Sequence, residues 1–361
     1  MGTILVNSIR HKMIITVGTT FPEFWQYGSE EIAIVNSTQA QIDQAFPDRK
    51  NLLINTTWFG SQFDNNEWAK IQQLIADGAE FDNLFLLAVI DPMYLMDRDL
   101  ELIQTALKIS TTYHIGMYAD SLYEWNFHSF TVAQRCPNYT EQELLPTGLD
   151  CAFLLYQRKP RPHRLHLTQL LIAENLLYRG IVTLGSNHNH SYDWTEGKEV
   201  PIVLTIDDTP EDYKHNGQHN EFSGIPNDLV SIGRLDVWQR CFLNVVSETE
   251  FESTKPRFVT EKMWKPIIGL RPFLIHGQTN TYTWLRNQGF RTFNQYWEHI
   301  DVETNPDVHA TTMQVLTYVS SQSPQQLHDM YNMMWSDIKH NQDRYREFAQ
   351  EQQHKMQHLF Q

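Results

Sequence analysis

Cysteine is scarce, with only Cys136, Cys151 and Cys241 in 361 residues. Three widely spaced thiols without a Cys-x-x-Cys pair spell neither a disulfide framework nor a zinc ribbon, and buried thiols in a reducing compartment are the expectation. No run approaches the roughly 18 uninterrupted apolar residues of a membrane span. The opening Met1-Gly2-Thr3-Ile4-Leu5-Val6-Asn7 lacks the apolar core and cleavage site of a secretory signal, so a soluble, cytoplasmic protein with no membrane span is expected. Basic residues are also under-represented. Against 43 Asp and Glu, 28 Lys and Arg leave a net charge of -15, which repels phosphate backbones and anionic membranes at long range. No Gly-x-Gly-x-x-Gly or P-loop string occurs, which counts against dinucleotide-dependent dehydrogenases and P-loop nucleotidases.

What the chain does carry is an alternation of apolar runs and helix-like stretches. Met13 to Val17, Ile32 to Val35, Asn51 to Asn55, Leu84 to Ile90 and Tyr113 to Tyr118 read as strands covered on both faces, because they show little polar alternation. Between them, 65–79 and 97–109 place apolar residues at helical spacing, as with Leu100, Ile103, Ala106 and Leu107. A second series follows the loop-like 136–148 region. It has a strand over Cys151 to Tyr156, a helix over Leu165 to Tyr178, and a polar His- and Asp-rich insertion from Ser186 to about Asn227. The pattern resumes over Val237 to Val246, with a helix starting near Thr260, a strand over Pro272 to Ile275 and a helix near Thr281 to Gln288. From Pro324 onward, Leu327, Met330, Met334, Ile338, Tyr345, Phe348, Met356 and Leu359 form a helical stripe. Strands alternating with helices predict an α/β fold in two domains, 1–148 and 149–323, with a C-terminal helical segment over 324–361 packing back across them.

Some strings tempt without convincing. His188-Asn189-His190 spells a nuclease nickname with no ββα metal module beside it, and His215 and His219 have zinc-like spacing that Asn216 and Gly217 break. The richest segment runs from Phe242-Leu243-Asn244-Val245-Val246-Ser247-Glu248-Thr249 to Phe258-Val259-Thr260-Glu261-Lys262-Met263-Trp264-Lys265, then Pro272 and Gly277. It reads as strand, carboxylate-bearing loop, helix N-terminus, strand and glycine turn. Exposed N–H groups at Thr260 favour an anion, and Lys262 and Lys265 add charge on nearly one face. An isolated Thr-Glu-Lys is otherwise an ordinary cap with a solvated face.

The length of this pattern resembles the C-terminal donor-binding motif of the α-1,3-fucosyltransferase family, with Glu248, Thr260, Glu261, Lys262, Pro272 and Gly277 in approximate register and Phe258 a further donor-binding candidate. The continuation Trp284 to Phe293 is similar to phage- and virus-type sugar transferases. Before the helix at Leu165, Tyr156-Gln157-Arg158-Lys159-Pro160-Arg161-Pro162-His163-Arg164 falls where the family has a basic residue facing the donor diphosphate, and Arg164 is the positional equivalent. The resemblance covers roughly residues 150–295. It implies a glycosyltransferase of the GT-B type, with two Rossmann-like domains, an N-terminal domain for the acceptor and a C-terminal domain for the nucleotide sugar. It also implies a donor substrate in place of a cofactor, no obligatory metal, and host cytoplasm as the setting of a phage-encoded enzyme.

Under that resemblance Arg164 and Lys262 neutralise the leaving diphosphate, with Lys265 nearby, while Glu248 and Glu261 bind sugar or ribose hydroxyls. Thr249-Glu250 stands where the family has Asn-Ser, and Arg257-Phe258 replaces an acidic-aromatic pair, so the hexose or pentose stays open. An inverting transferase also needs a base at a strand end of the acceptor domain. Asp120, Asp91 and Glu23 qualify, Asp120 first because it leads into the aromatic Tyr123 to His128 stretch. The acceptor is a glycan or a hydroxymethylated pyrimidine in phage DNA. DNA would need a local basic groove from Arg158, Lys159, Arg161 and Lys255-Pro256-Arg257. A rival expectation is a non-catalytic nucleotide-sugar-binding or interaction protein.

Overall fold

Two runs of apolar residues become central strands in this computed structural model, one in each of two parallel sheets. The structure describes residues 12–16, 28–55, 65–89, 97–117, 123–126, 129, 132–133, 139–157, 161–184, 232–233, 235–252, 257–297 and 299–359. Two compact units divide the chain: Met1–Phe130 with Gln350–Gln361, and Thr131–Ala349.

In the first unit, β1 (Lys12–Thr16), β2 (Asn51–Asn55), β3 (Asn83–Ala88), β4 (Thr111–Gly116) and β5 (Tyr123–Glu124) lie in chain order, all parallel. Every residue of β2 and β3 is buried, as a strand covered on both faces requires. The connections carry α1 (Gly28–Ala45), α2 (Asn65–Ala76) and α3 (Asp97–Ala106). Ile32 to Val35 is not a strand but part of α1. Ile34, Val35, Thr38, Gln39 and Ile42 are buried at helical spacing while Ala33, Asn36 and Ser37 face solvent, so a period of 3.6 overrides the β-branched run. At the end of β4, Gly116 has φ +94°, and a Cβ there would meet the Ala88 carbonyl oxygen at 2.2 Å, so only glycine fits.

In the second unit the sheet order is β7 (Gly180–Leu184), β6 (Cys151–Gln157), β8 (Cys241–Ser247), β9 (Phe273–His276), again all parallel. The short α4 (Glu141–Leu144) precedes the sheet, α5 (Pro162–Ala173), α6 (Leu235–Arg240) and α7 (Glu261–Ile268) lie between its strands, and α8 (Asn280–Asn287), α9 (Val308–Ser321) and α10 (Pro324–Gln357, in this unit up to Ala349) follow it. Phe153, Leu155, Phe242, Leu243, Phe273 and Leu274 fill the sheet faces with almost no exposure. Trp264 of α7 sits 5.5 Å from Tyr345 and 5.3 Å from Phe348 of α10, ring centre to ring centre, so the helical stripe read from Pro324 onward is the face that covers α7.

One buried cation organises this unit without a carboxylate. Arg271, 2% exposed, donates to the carbonyls of Leu144, Trp238, Cys241 and Leu270 at 2.8–3.0 Å and lies 5.5 Å from the centre of the Tyr331 ring. Burial pulls its pKa down to about 10. Among the described residues no helix is long and apolar enough to cross a membrane.

Candidate functional site

From β6 the chain crosses through α5 to β7 on one side, whereas from β8 it crosses through α7 to β9 on the other. Right-handed crossovers running in opposite directions put α5 and α7 on opposite faces and open a crevice between the carboxyl ends of β6 and β8. Ligands of open α/β sheets bind at such a reversal. Arg164 on α5, Glu248 after β8, and Thr260, Glu261 and Lys262 at the start of α7 all belong to this crevice.

Glu248 is the hub, 1% exposed. Its carboxylate accepts the Thr260 N–H at 3.0 Å, the Thr260 hydroxyl at 2.6 Å and the Thr249 N–H at 3.2 Å. Burial raises its pKa, against the pull of Lys262 and the Thr260 hydrogen bonds. Thr260 is the N-cap of α7 and accepts the Lys262 N–H at 3.4 Å. The Lys262 ammonium donates to Glu261 at 2.7 Å, to the Thr260 hydroxyl at 3.1 Å and to the Thr249 hydroxyl at 3.5 Å. Its side chain keeps 24% exposure where that of Glu261 keeps 8%, so in this cluster the lysine is the group within reach of solvent.

Arg164 is 2% exposed and turns inward, donating from Nη2 to the carbonyls of Ser247 at 2.9 Å and Glu248 at 3.0 Å. It holds the end of β8 and adds a buried positive charge there. Lys265, one turn after Lys262, is buried at 7% and not on a solvated face. Phe258 is buried as well; its N–H reaches Gln278 Oε1 at 2.9 Å, and Gln278 donates onward to the Glu252 carbonyl at 2.9 Å. A Cβ at Gly277 would stand 3.0 Å from that of Glu248, so the glycine turn leaves the hub carboxylate its room.

Beside this crevice lies a histidine cluster that sequence reasoning missed. His163 and His166 come from α5, His276 from the end of β9 and His309 from the first turn of α9. His163 donates from Nε2 to the Glu248 carbonyl at 3.0 Å and stacks on Phe251 at 5.0 Å. His276 shares one hydrogen bond with the Ser247 hydroxyl at 3.2 Å and another with His309 at 3.1 Å. Burial pushes His163 down to about 3, His309 to about 4 and His276 well below the ordinary imidazole value, and neighbouring cations and imidazoles push the same way. These rings are neutral at pH 7. The i, i+3 pair on α5 was visible in the chain, but its meeting with residues more than a hundred positions on was not. His166 and His309 also line a cavity of about 630 Å³ between α5 and α9, which none of Arg164, Glu248, Thr260 and Lys262 touches.

Asp120, Asp91 and Glu23 lie outside the described residues, as do Arg158, Lys159, Lys255 and the insertion carrying His188, His190, His215 and His219. Among the described residues no group of three or more His, Cys, Asp or Glu side chains is arranged to hold a metal ion. No protein-family model, curated protein or solved structure matches the chain.

Proposed function

We propose that the chain is a glycosyltransferase that moves a hexose or pentose from a nucleotide diphosphate sugar to an acceptor hydroxyl with inversion. The observation that supports this most is the convergence of Lys262, the α7 N-terminus and Arg164 on the reversal between β6 and β8. In this reading the acceptor oxygen attacks the anomeric carbon as the bond to the diphosphate breaks. A carboxylate among Asp120, Asp91 and Glu23 takes the acceptor proton. Negative charge growing on the diphosphate meets the Lys262 ammonium and the positive end of the α7 dipole, with Arg164 adding charge from within. Glu248 acts here by holding Thr260 and the helix start in place, and Glu261 offers its carboxylate to a sugar or ribose hydroxyl. The two units then correspond to acceptor and donor halves of a GT-B enzyme, with a glycan or hydroxymethylated pyrimidine DNA as acceptor.

The test is a thermal-shift panel of UDP-, GDP-, CMP- and TDP-sugars followed by transfer assays on 5-hydroxymethylcytosine DNA and a glycan mixture. One donor is expected to raise the melting temperature, and Lys262→Ala to weaken its binding about 10- to 100-fold, the worth of one charged hydrogen bond of about 1.5–3 kcal/mol. No shift with any donor overturns the reading. The closed hydrogen-bond network around Glu248 favours one second reading, a non-catalytic binding or interaction protein, for which turnover is absent.

A further inference from the structure

We propose that Cys151 and Cys241 form a redox-active pair that closes reversibly to an intramolecular disulfide by exchange with small-molecule disulfides. Each is the first residue of its strand, and the two are register partners in the parallel β6–β8 ladder. Neighbouring strands run about 4.8 Å apart, inside the Cα separation of about 4.4–6.8 Å that a disulfide accepts. Residues in register on parallel strands project to the same face, so their Cβ atoms start out side by side. Both thiols are free, Cys151 half-buried and Cys241 buried, so the pair joins a partly exposed cysteine to a sheltered partner.

The surroundings favour attack by Cys151. The Cys241 thiol hydrogen-bonds to the Cys151 sulfur and, with the charges of Arg240 and Arg179, pulls the Cys151 pKa down against its burial and the charge of Asp150. Arg240 is held there by a two-point ion pair with Asp150 at 2.7–3.2 Å. A partly exposed thiol in a positive setting is the reactive kind, and a half-accessible pair between strands belongs to the labile class of disulfides.

The exchange balances as two displacements. The Cys151 thiolate attacks one sulfur of oxidised glutathione, forming a mixed disulfide and releasing one glutathione thiolate. Cys241 then loses its proton to that thiolate or to water and attacks the Cys151 sulfur, expelling the second glutathione. Two protein thiols are oxidised by two electrons and one glutathione disulfide is reduced to two thiols. The bond would fasten the amino ends of the two central strands, opposite the ends that carry Arg164 and Glu248, so the proposal does not depend on the transferase reading.

The full chain carrying Cys136→Ser, which removes the third thiol, is incubated with graded ratios of reduced and oxidised glutathione at pH 7. Alkylation and peptide mass spectrometry then read the linkage. The expected result is a linked peptide containing Cys151 and Cys241 whose yield follows a two-electron titration and reverses with dithiothreitol. Cys241→Ala, an apolar replacement suited to the core, is expected to leave only a glutathione adduct on Cys151. Separate glutathione adducts on both cysteines, or two unmodified thiols in excess oxidised glutathione, would overturn the proposal.

Discussion

The two sheets are both parallel and both buried, yet they differ in the order of their strands. In the first, β1 to β5 follow one another, and every crossover steps in the same direction. In the second, the chain steps outward from β6 to β7 and later from β8 to β9 the opposite way. Only a reversal parts the loops at the strand ends, so topology alone singles out the β6–β8 crevice and makes no equivalent choice in the first unit. That contrast explains why Arg164, Glu248, Thr260 and Lys262 converge on one place while Asp120, Asp91 and Glu23 are not ranked by strand order.

The second sheet also depends more on buried polar groups, and this can be broken deliberately. Arg271→Leu takes the guanidinium donor from the carbonyls of Leu144, Trp238 and Cys241, leaving Leu270 only the Tyr331 hydroxyl, and should cost about 3–5 kcal/mol. Hydrogen exchange is the discriminating measurement: protection should fall in β6 and β8 and be retained in β3. Glu248→Ala should cost less, about 2–3 kcal/mol, because it strands the buried Thr260 N–H and hydroxyl. Glu248→Gln, which keeps an acceptor for the N–H, should recover part of that loss in urea unfolding.

Acid is a gentler probe of the same difference. In the second unit His163, His276 and His309 are held neutral, so at these positions the unfolded chain takes up protons below about 6.5 that the folded one refuses. Stability is therefore full above that pH and falls as pH drops toward the folded values. For His163, with its pKa at about 3, the loss between about pH 7 and pH 5 is about 2 kcal/mol. In the first unit, His114 is shifted the same way by its burial. His163→Phe should flatten the melting-temperature profile over that range more than His114→Phe does.

Most strands were legible in the chain: β2, β3, β6, β8 and β9 show as apolar runs because no solvent-facing position interrupts them, and β1 and β4 were read as well, although the first residues of β4 are exposed or half-buried and not covered on both faces. Edge strand β7, mostly half-buried and only five residues long, leaves no such run. Helix α9 was hidden by its own residues, since Val308, Thr311, Thr312, Val315 and Val319 are β-branched and their helical spacing shows only once Asp307 caps the first turn. At the site, Thr260 and Lys262 were legible as a local string on a helix start. The grip of Glu248 on Thr260 was not, because it spans twelve positions of loop. Nor was the inward turn of Arg164, which depends on where β8 ends.

The network joining Lys262, Thr260, Glu248 and Thr249 is closed by the protein's own side chains and backbone. The rotamers of this network are thus fixed during folding, and under the proposed function their loss of freedom is not charged against binding. A site assembled beforehand in this way should bind with little rearrangement of its backbone. Its affinity should then respond more to the shape and charge of the ligand than to the flexibility of the loop that receives it.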